Sequence, residues 1–90
     1  MKTRLIIYQL KNSSEDYNLV SNYIKTFSKW AKPMSRCFLV KSKKRTSEIR
    51  DELKRVIQNG GKVMVIDVSD SAWGTSGVTM TVTSWMKENL

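Results

Sequence analysis

Three stretches of the chain are apolar on both faces of an extended strand. In Thr3-Arg4-Leu5-Ile6-Ile7-Tyr8-Gln9-Leu10, Leu5 and Ile7 point one way and Ile6 and Tyr8 the other, because side chains alternate along a strand. Arg36-Cys37-Phe38-Leu39-Val40-Lys41 repeats the pattern, with Cys37 and Leu39 against Phe38 and Val40. So does Lys62-Val63-Met64-Val65-Ile66-Asp67-Val68, with Val63 and Val65 against Met64, Ile66 and Val68. A strand apolar on both sides needs cover on both sides.

Between these strands the spacing changes to that of a helix. Tyr17, Val20, Ile24 and Phe27 share one helical face. Ser13 or Ser14 is expected to cap that helix, Glu15 and Asp16 suit its positive end, and it should end near Ser28, ahead of the Lys32-Pro33 pair. Lys29 to Met34 reads as a short strand stub entering a turn. A second helix is expected after Lys43-Lys44-Arg45, capped by Thr46 or Ser47, with Ile49, Leu53, Val56 and Ile57 as its apolar face. Asn59-Gly60-Gly61 stops it, since glycine tolerates the left-handed conformation that closes a helix. Ser69 to Gly77 reads as a loop around Trp73. The tail from Val78 is ambiguous between periods, and a short terminal helix is the preferred reading.

The order strand, helix, strand, strand, helix, strand is the βαββαβ plan of the ferredoxin-like fold. The expected fold class is therefore an α+β ferredoxin-like sandwich of one domain, residues 1–90, with a short C-terminal extension. Two helices on one face of an antiparallel sheet leave the other face bare. The tail is expected to cover part of it, and a second copy of the chain the rest, making a homodimer.

Composition narrows the chemistry. The chain has 90 residues, one cysteine and no histidine. An internal disulfide, a Cys–His nucleophile pair and a conventional zinc site are excluded. Cys37 reads as a small buried apolar residue. No leader or membrane span is read, and a cytoplasmic protein is expected. Between Lys25 and Arg55 the chain carries eleven Lys or Arg against three acids, which amounts to the whole net charge of +8. Charge concentrated in this way attracts polyanions. Lys29, Lys32, Arg36, Lys41, Lys43, Lys44 and Arg45 flank or follow the second clear strand and are the candidate phosphate contacts. Trp30 and Trp73 are weaker candidates, for base stacking. Tyr8 reads as core or interface. Gly60-Gly61, Gly74 and Gly77 match no phosphate-binding loop, and no cofactor is expected.

Several of these segments resemble a known family. Leu5-Ile6-Ile7-Tyr8-Gln9-Leu10 is similar to the first strand of the small CRISPR-associated adaptation subunit, the family called Cas-two, and more closely to the short SinR-like proteins related to it. Lys32-Pro33-Met34-Ser35-Arg36-Cys37-Phe38-Leu39-Val40, Ser47-Glu48-Ile49-Arg50-Asp51-Glu52-Leu53, Val65-Ile66-Asp67-Val68 with Ala72-Trp73, and the ending Trp85-Met86-Lys87-Glu88-Asn89-Leu90 extend the likeness over nearly the whole chain. The resemblance implies a ferredoxin-like homodimer engaged with nucleic acid. Some members are metal-dependent nucleases, and the VapD ribonucleases of related fold also keep an acid near this strand end. Paired aspartates there could hold a divalent ion through hard oxygens.

At the matching position this chain has Gln9, a neutral amide. A substitute site would need Asp67 or Asp70, and Asp70 reads better as a turn residue. The expected function is therefore a small basic nucleic-acid-binding homodimer without nuclease activity. Two alternatives stay open. One is a metal-dependent endonuclease of the same fold. The other is a protein–protein adaptor or inhibitor, phage or mobile-element encoded, whose basic surface meets an acidic partner.

Overall fold

The computed structural model describes residues 1–11 and 14–90. Seven elements follow one another: β1 (Lys2–Leu10), α1 (Ser14–Ile24), β2 (Lys29–Met34), β3 (Cys37–Ser42), α2 (Thr46–Val56), β4 (Gly61–Asp67) and α3 (Met80–Asn89). The strands form one sheet in the order β2-β3-β1-β4, and every neighbouring pair is antiparallel. This is an α+β domain whose connectivity and strand order are compatible with the ferredoxin-like plan.

The double-sided strands have a direct structural counterpart. Ile6, Tyr8, Leu10, Phe38 and Val40 pack with Val20 and Ile24 of α1 and Ile49 and Leu53 of α2 into the main core. Val63 and Val65 of β4 support it from the rim. On the opposite face, Ala31 and Leu39 are Cα partners across β2 and β3, and both are buried. There α3 packs beside β2, and the Thr3 hydroxyl donates to the Asn89 carbonyl. The tail is thus a helix, and it covers the β2–β3 half of the rear face. Ile7, Met64 and Ile66 on the β1–β4 half remain exposed.

Several boundaries differ from the sequence reading, that of β4 among them, which runs Gly61–Asp67 and leaves Val68 outside. Helix α1 ends at Ile24 rather than near Ser28, because the chain tightens through Thr26 N–H to Tyr23 O and Phe27 N–H to Ile24 O bonds. Lys29–Met34 is a full six-residue strand, irregular between Ala31 and Met34, where Pro33 has no N–H for the ladder. Arg36 belongs to the β2–β3 turn and not to β3. It has φ 61°, a left-handed conformation that costs a non-glycine residue energy. Helix α2 starts from Arg45, whose backbone N–H donates to Glu48 Oε1 at 3.1 Å, so neither Thr46 nor Ser47 is its cap. The suggested Ser13 cap of α1 lies outside the described residues.

The α2–β4 junction fixes the relation of the two halves. Asn59 N–H donates to the buried Asp16 carboxylate at 3.1 Å, tying this loop to the first turn of α1. Gly61 lies so close to β1 that a Cβ there would sit 2.8 Å from the Gln9 carbonyl oxygen. The second glycine of Asn59-Gly60-Gly61 is therefore needed for strand approach as well as for chain reversal. Among the described residues no helix is long and apolar enough to cross a membrane.

Candidate nucleic-acid interface

The seven candidate cations fall into three groups. Lys29 on β2 and Lys41 on β3 are direct Cα partners. Both project to the α3 side, two positions along the ladder from Ala31 and Leu39. Lys43 follows at the strand end, on a groove shared with Lys41, Phe27 and Ser28. Lys32 and Arg36 lie at the turn end of the same hairpin and project to the helical face. Lys32 Nζ lies 5.3 Å from the Phe38 ring centre, and the Arg36 guanidinium lies 5.3 Å from that of Tyr17.

Lys44 and Arg45 form the third group, and their charges are committed within the fold. Lys44 Nζ donates to both oxygens of Glu52, at 2.7 and 2.9 Å. Tyr23 donates its hydroxyl to the same carboxylate at 2.5 Å. The hydrogen bonds from Lys44 and then Tyr23 hold the Glu52 carboxyl below its ordinary range, while burial pushes the Tyr23 phenol up. Arg45 pairs with Glu48 at 3.0 Å on the surface. Arg4, a further cation, is buried between Asp67 and the Lys44 carbonyl and is structural.

Like charges directly opposed across a ladder destabilise a sheet. Lysines on an edge strand have a bland use, since they block pairing with another chain. That accounts for Lys29 and Lys32 on β2, which is an edge. It does not account for Lys41, on an inner strand facing Lys29. Neither lysine has an acidic partner among the ion pairs of the described residues. An anion between them would remove the repulsion.

The strand end where the family resemblance places an aspartate is cationic here. Gln9 is the Cα partner of Lys62, and Lys11 lies along the same cleft. Asp67 sits at the other end of the β1–β4 ladder, opposite Arg4, to which it is bonded at 2.7 Å. The Ser69 backbone N–H, donating to Asp67 Oδ1, is the first cause that holds its carboxyl low. Asp70 has φ 58° and belongs to the turn after β4. Among the described residues no three metal-ligating side chains come together.

Of the remaining candidates Cys37 lies in the interior, while Trp30 and Trp73 are partly exposed. Cys37 is buried, and burial raises its thiol. Trp30 packs edge-on against Phe38 at 6.0 Å and carries Lys25 over its ring at 5.5 Å, which leaves little face for a base. Trp73 is partly exposed in the loop before α3. The sequence reading missed the Tyr23–Glu52–Lys44 network and the part played by Tyr17, whose only signal was a place on the apolar face of α1. No protein-family model, curated protein or solved structure matches the chain.

Proposed function

We propose that this protein is a small cytosolic nucleic-acid-binding dimer, akin to the Cas-two-like and SinR-like group, that engages phosphates without cutting them. The observation that carries this reading is the opposition of Lys29 and Lys41 with no acidic side chain paired to either among the described residues, continued by Lys43. A sheet keeps such an arrangement at a cost to its own stability, and a polyanion offsets that cost. Lys32 and Arg36 add a second cationic group at the far end of the hairpin, roughly 10 to 17 Å away at the usual rise per strand residue. The contacts are to phosphate, so they position the ligand without reading its sequence.

A second copy would cover Ile7, Met64 and Ile66, which are 40%, 57% and 38% exposed side by side on β1 and β4. Edge strand β4 borders this strip, and the strip is the part of the rear face that α3 leaves open. An apolar strip on an open edge favours self-association. Gln9 beside Lys62 and Lys11 makes a setting that repels a divalent cation, which supports binding without cleavage.

Fluorescence anisotropy with labelled single- and double-stranded oligonucleotides of unrelated sequence tests the reading. Binding at low salt, similar for all sequences and falling steeply as salt rises, is expected. No binding at 50 mM salt, or binding that salt does not weaken, overturns it.

A further inference from the structure

A cleft of about 340 Å³ opens between β1, α1 and the β2–β3 turn. Tyr8, Tyr17, Asn18, Lys32, Ser35 and Arg36 are among its walls, and no acid lines it among the described residues. Tyr8 is 4% exposed, and its ring is core, stacked 6.3 Å from Phe38. Tyr8 borders the cleft, and no hydrogen bond occupies its hydroxyl among the described residues. The Tyr17 hydroxyl accepts from Leu10 N–H at 3.3 Å, which leaves its own proton to donate outward. Arg36 is held over Tyr17 in a left-handed backbone conformation. Strain of that kind in a non-glycine residue is concentrated where a side chain must be aimed.

The geometry points to a phosphomonoester site: Lys32, Arg36 and the hydroxyls of Tyr8 and Tyr17 hold the terminal phosphate of a nucleic-acid strand or of a free nucleotide. Two cations match the double charge of a monoester better than the single charge of a backbone diester. Phosphate oxygens accept hydrogen bonds, and here cationic and phenolic donors meet at one concave place. A continuing backbone would instead run along an open surface. The Tyr17 face is already occupied by Arg36, so base stacking is not what the site offers. Burial pushes the Tyr8 phenol up, so it stays a donor through the neutral range. The inference rests on the nucleic-acid reading of the hairpin for the strand end as its ligand, and assigns that end to one place.

The test compares one oligonucleotide carrying a 5′-phosphate, a 3′-phosphate or neither, together with adenosine monophosphate against adenosine. It uses the wild-type protein, Arg36→Gly and Tyr8→Phe. Arg36→Gly removes the guanidinium at a φ that glycine accepts, and Tyr8→Phe removes only the hydroxyl, so both keep the core. A terminal phosphate should tighten binding about tenfold, the preference should vanish in Arg36→Gly, and it should fall a few-fold in Tyr8→Phe. If the monophosphate outbinds the nucleoside and the strands do not differ, the site stands with a free nucleotide as its ligand. If all strands bind equally and the monophosphate does not outbind adenosine, the cleft assignment is overturned while the hairpin reading survives. If the monophosphate binds and no strand does, the hairpin reading fails and the cleft stands. A preference that persists in Arg36→Gly overturns the assignment.

Discussion

Gln9 on β1 and Lys62 on β4 stand directly opposite each other across the antiparallel ladder. A divalent ion at this strand end would meet an amide and an ammonium instead of carboxylates. Purified protein with Mg²⁺ or Mn²⁺ should leave RNA and DNA uncut and show no metal-dependent rise in melting temperature. Cleavage abolished by Asp67→Asn or Asp70→Asn would contradict this and revive the nuclease reading.

Lys43 and Lys44 are neighbours with different work. Lys44 is bonded to Glu52, and Lys43 is in none of the ion pairs among the described residues. Lys44→Ala should lower stability by about 1 kcal/mol, the scale of a partly exposed pair that also shares a hydrogen-bond network. Lys43→Ala should leave the melting temperature nearly unchanged while weakening binding to every oligonucleotide alike. Equal melting temperatures for the two variants would contradict the assignment of Lys44 to the fold.

Acid should act through Glu52. Its carboxyl is held below the ordinary value in the folded chain, first by Lys44 and then by Tyr23. A carboxylate depressed on folding gives stability that is present above its unfolded pKa, about 4.3, and lost as pH falls through the folded value. Melting temperature should therefore be level near neutrality and drop below about pH 4.5. Glu52→Gln should start lower and fall less steeply. A variant with the same acid slope as wild type would remove Glu52 from this role.

The exposed strip beside β4 gives the dimer its test. In sedimentation velocity the wild type should run at twice the mass of the 10.4 kDa chain. Met64→Glu with Ile66→Glu should run as a monomer that still melts cooperatively, because both residues face away from the main core. A wild-type monomer at high concentration would contradict the dimer.

Three of the four strands and both core helices were legible because each carries a strong hydrophobic period. Ile6, Phe38, Val20 and Leu53 fall on the faces their spacing dictates. The end of α1 was not legible, because the turn through Thr26 and Phe27 uses residues that equally suit one more helical turn. Arg36 looked like strand because nothing local marks an arginine for a left-handed turn. Tertiary context also decided which cations are free. Lys44 and Lys43 are alike in sequence, and only the approach of Glu52 and Tyr23 from the two helices separates them. The same holds for the rear face: the double-sided pattern predicted cover, and the docking of α3 decided that Leu39 receives it and Met64 does not.

The facing pair Lys29 and Lys41 is tested most directly by the salt dependence of binding to duplex DNA. If Lys29, Lys32, Arg36, Lys41 and Lys43 each meet a phosphate, the logarithm of affinity should fall against the logarithm of salt with a slope of roughly −4.5. The Lys29→Ala, Lys41→Ala double variant should bind more weakly, with a slope shallower by about 2. An unchanged slope in the double variant, with affinity equal to wild type, would contradict the claim that these two lysines hold nucleic acid.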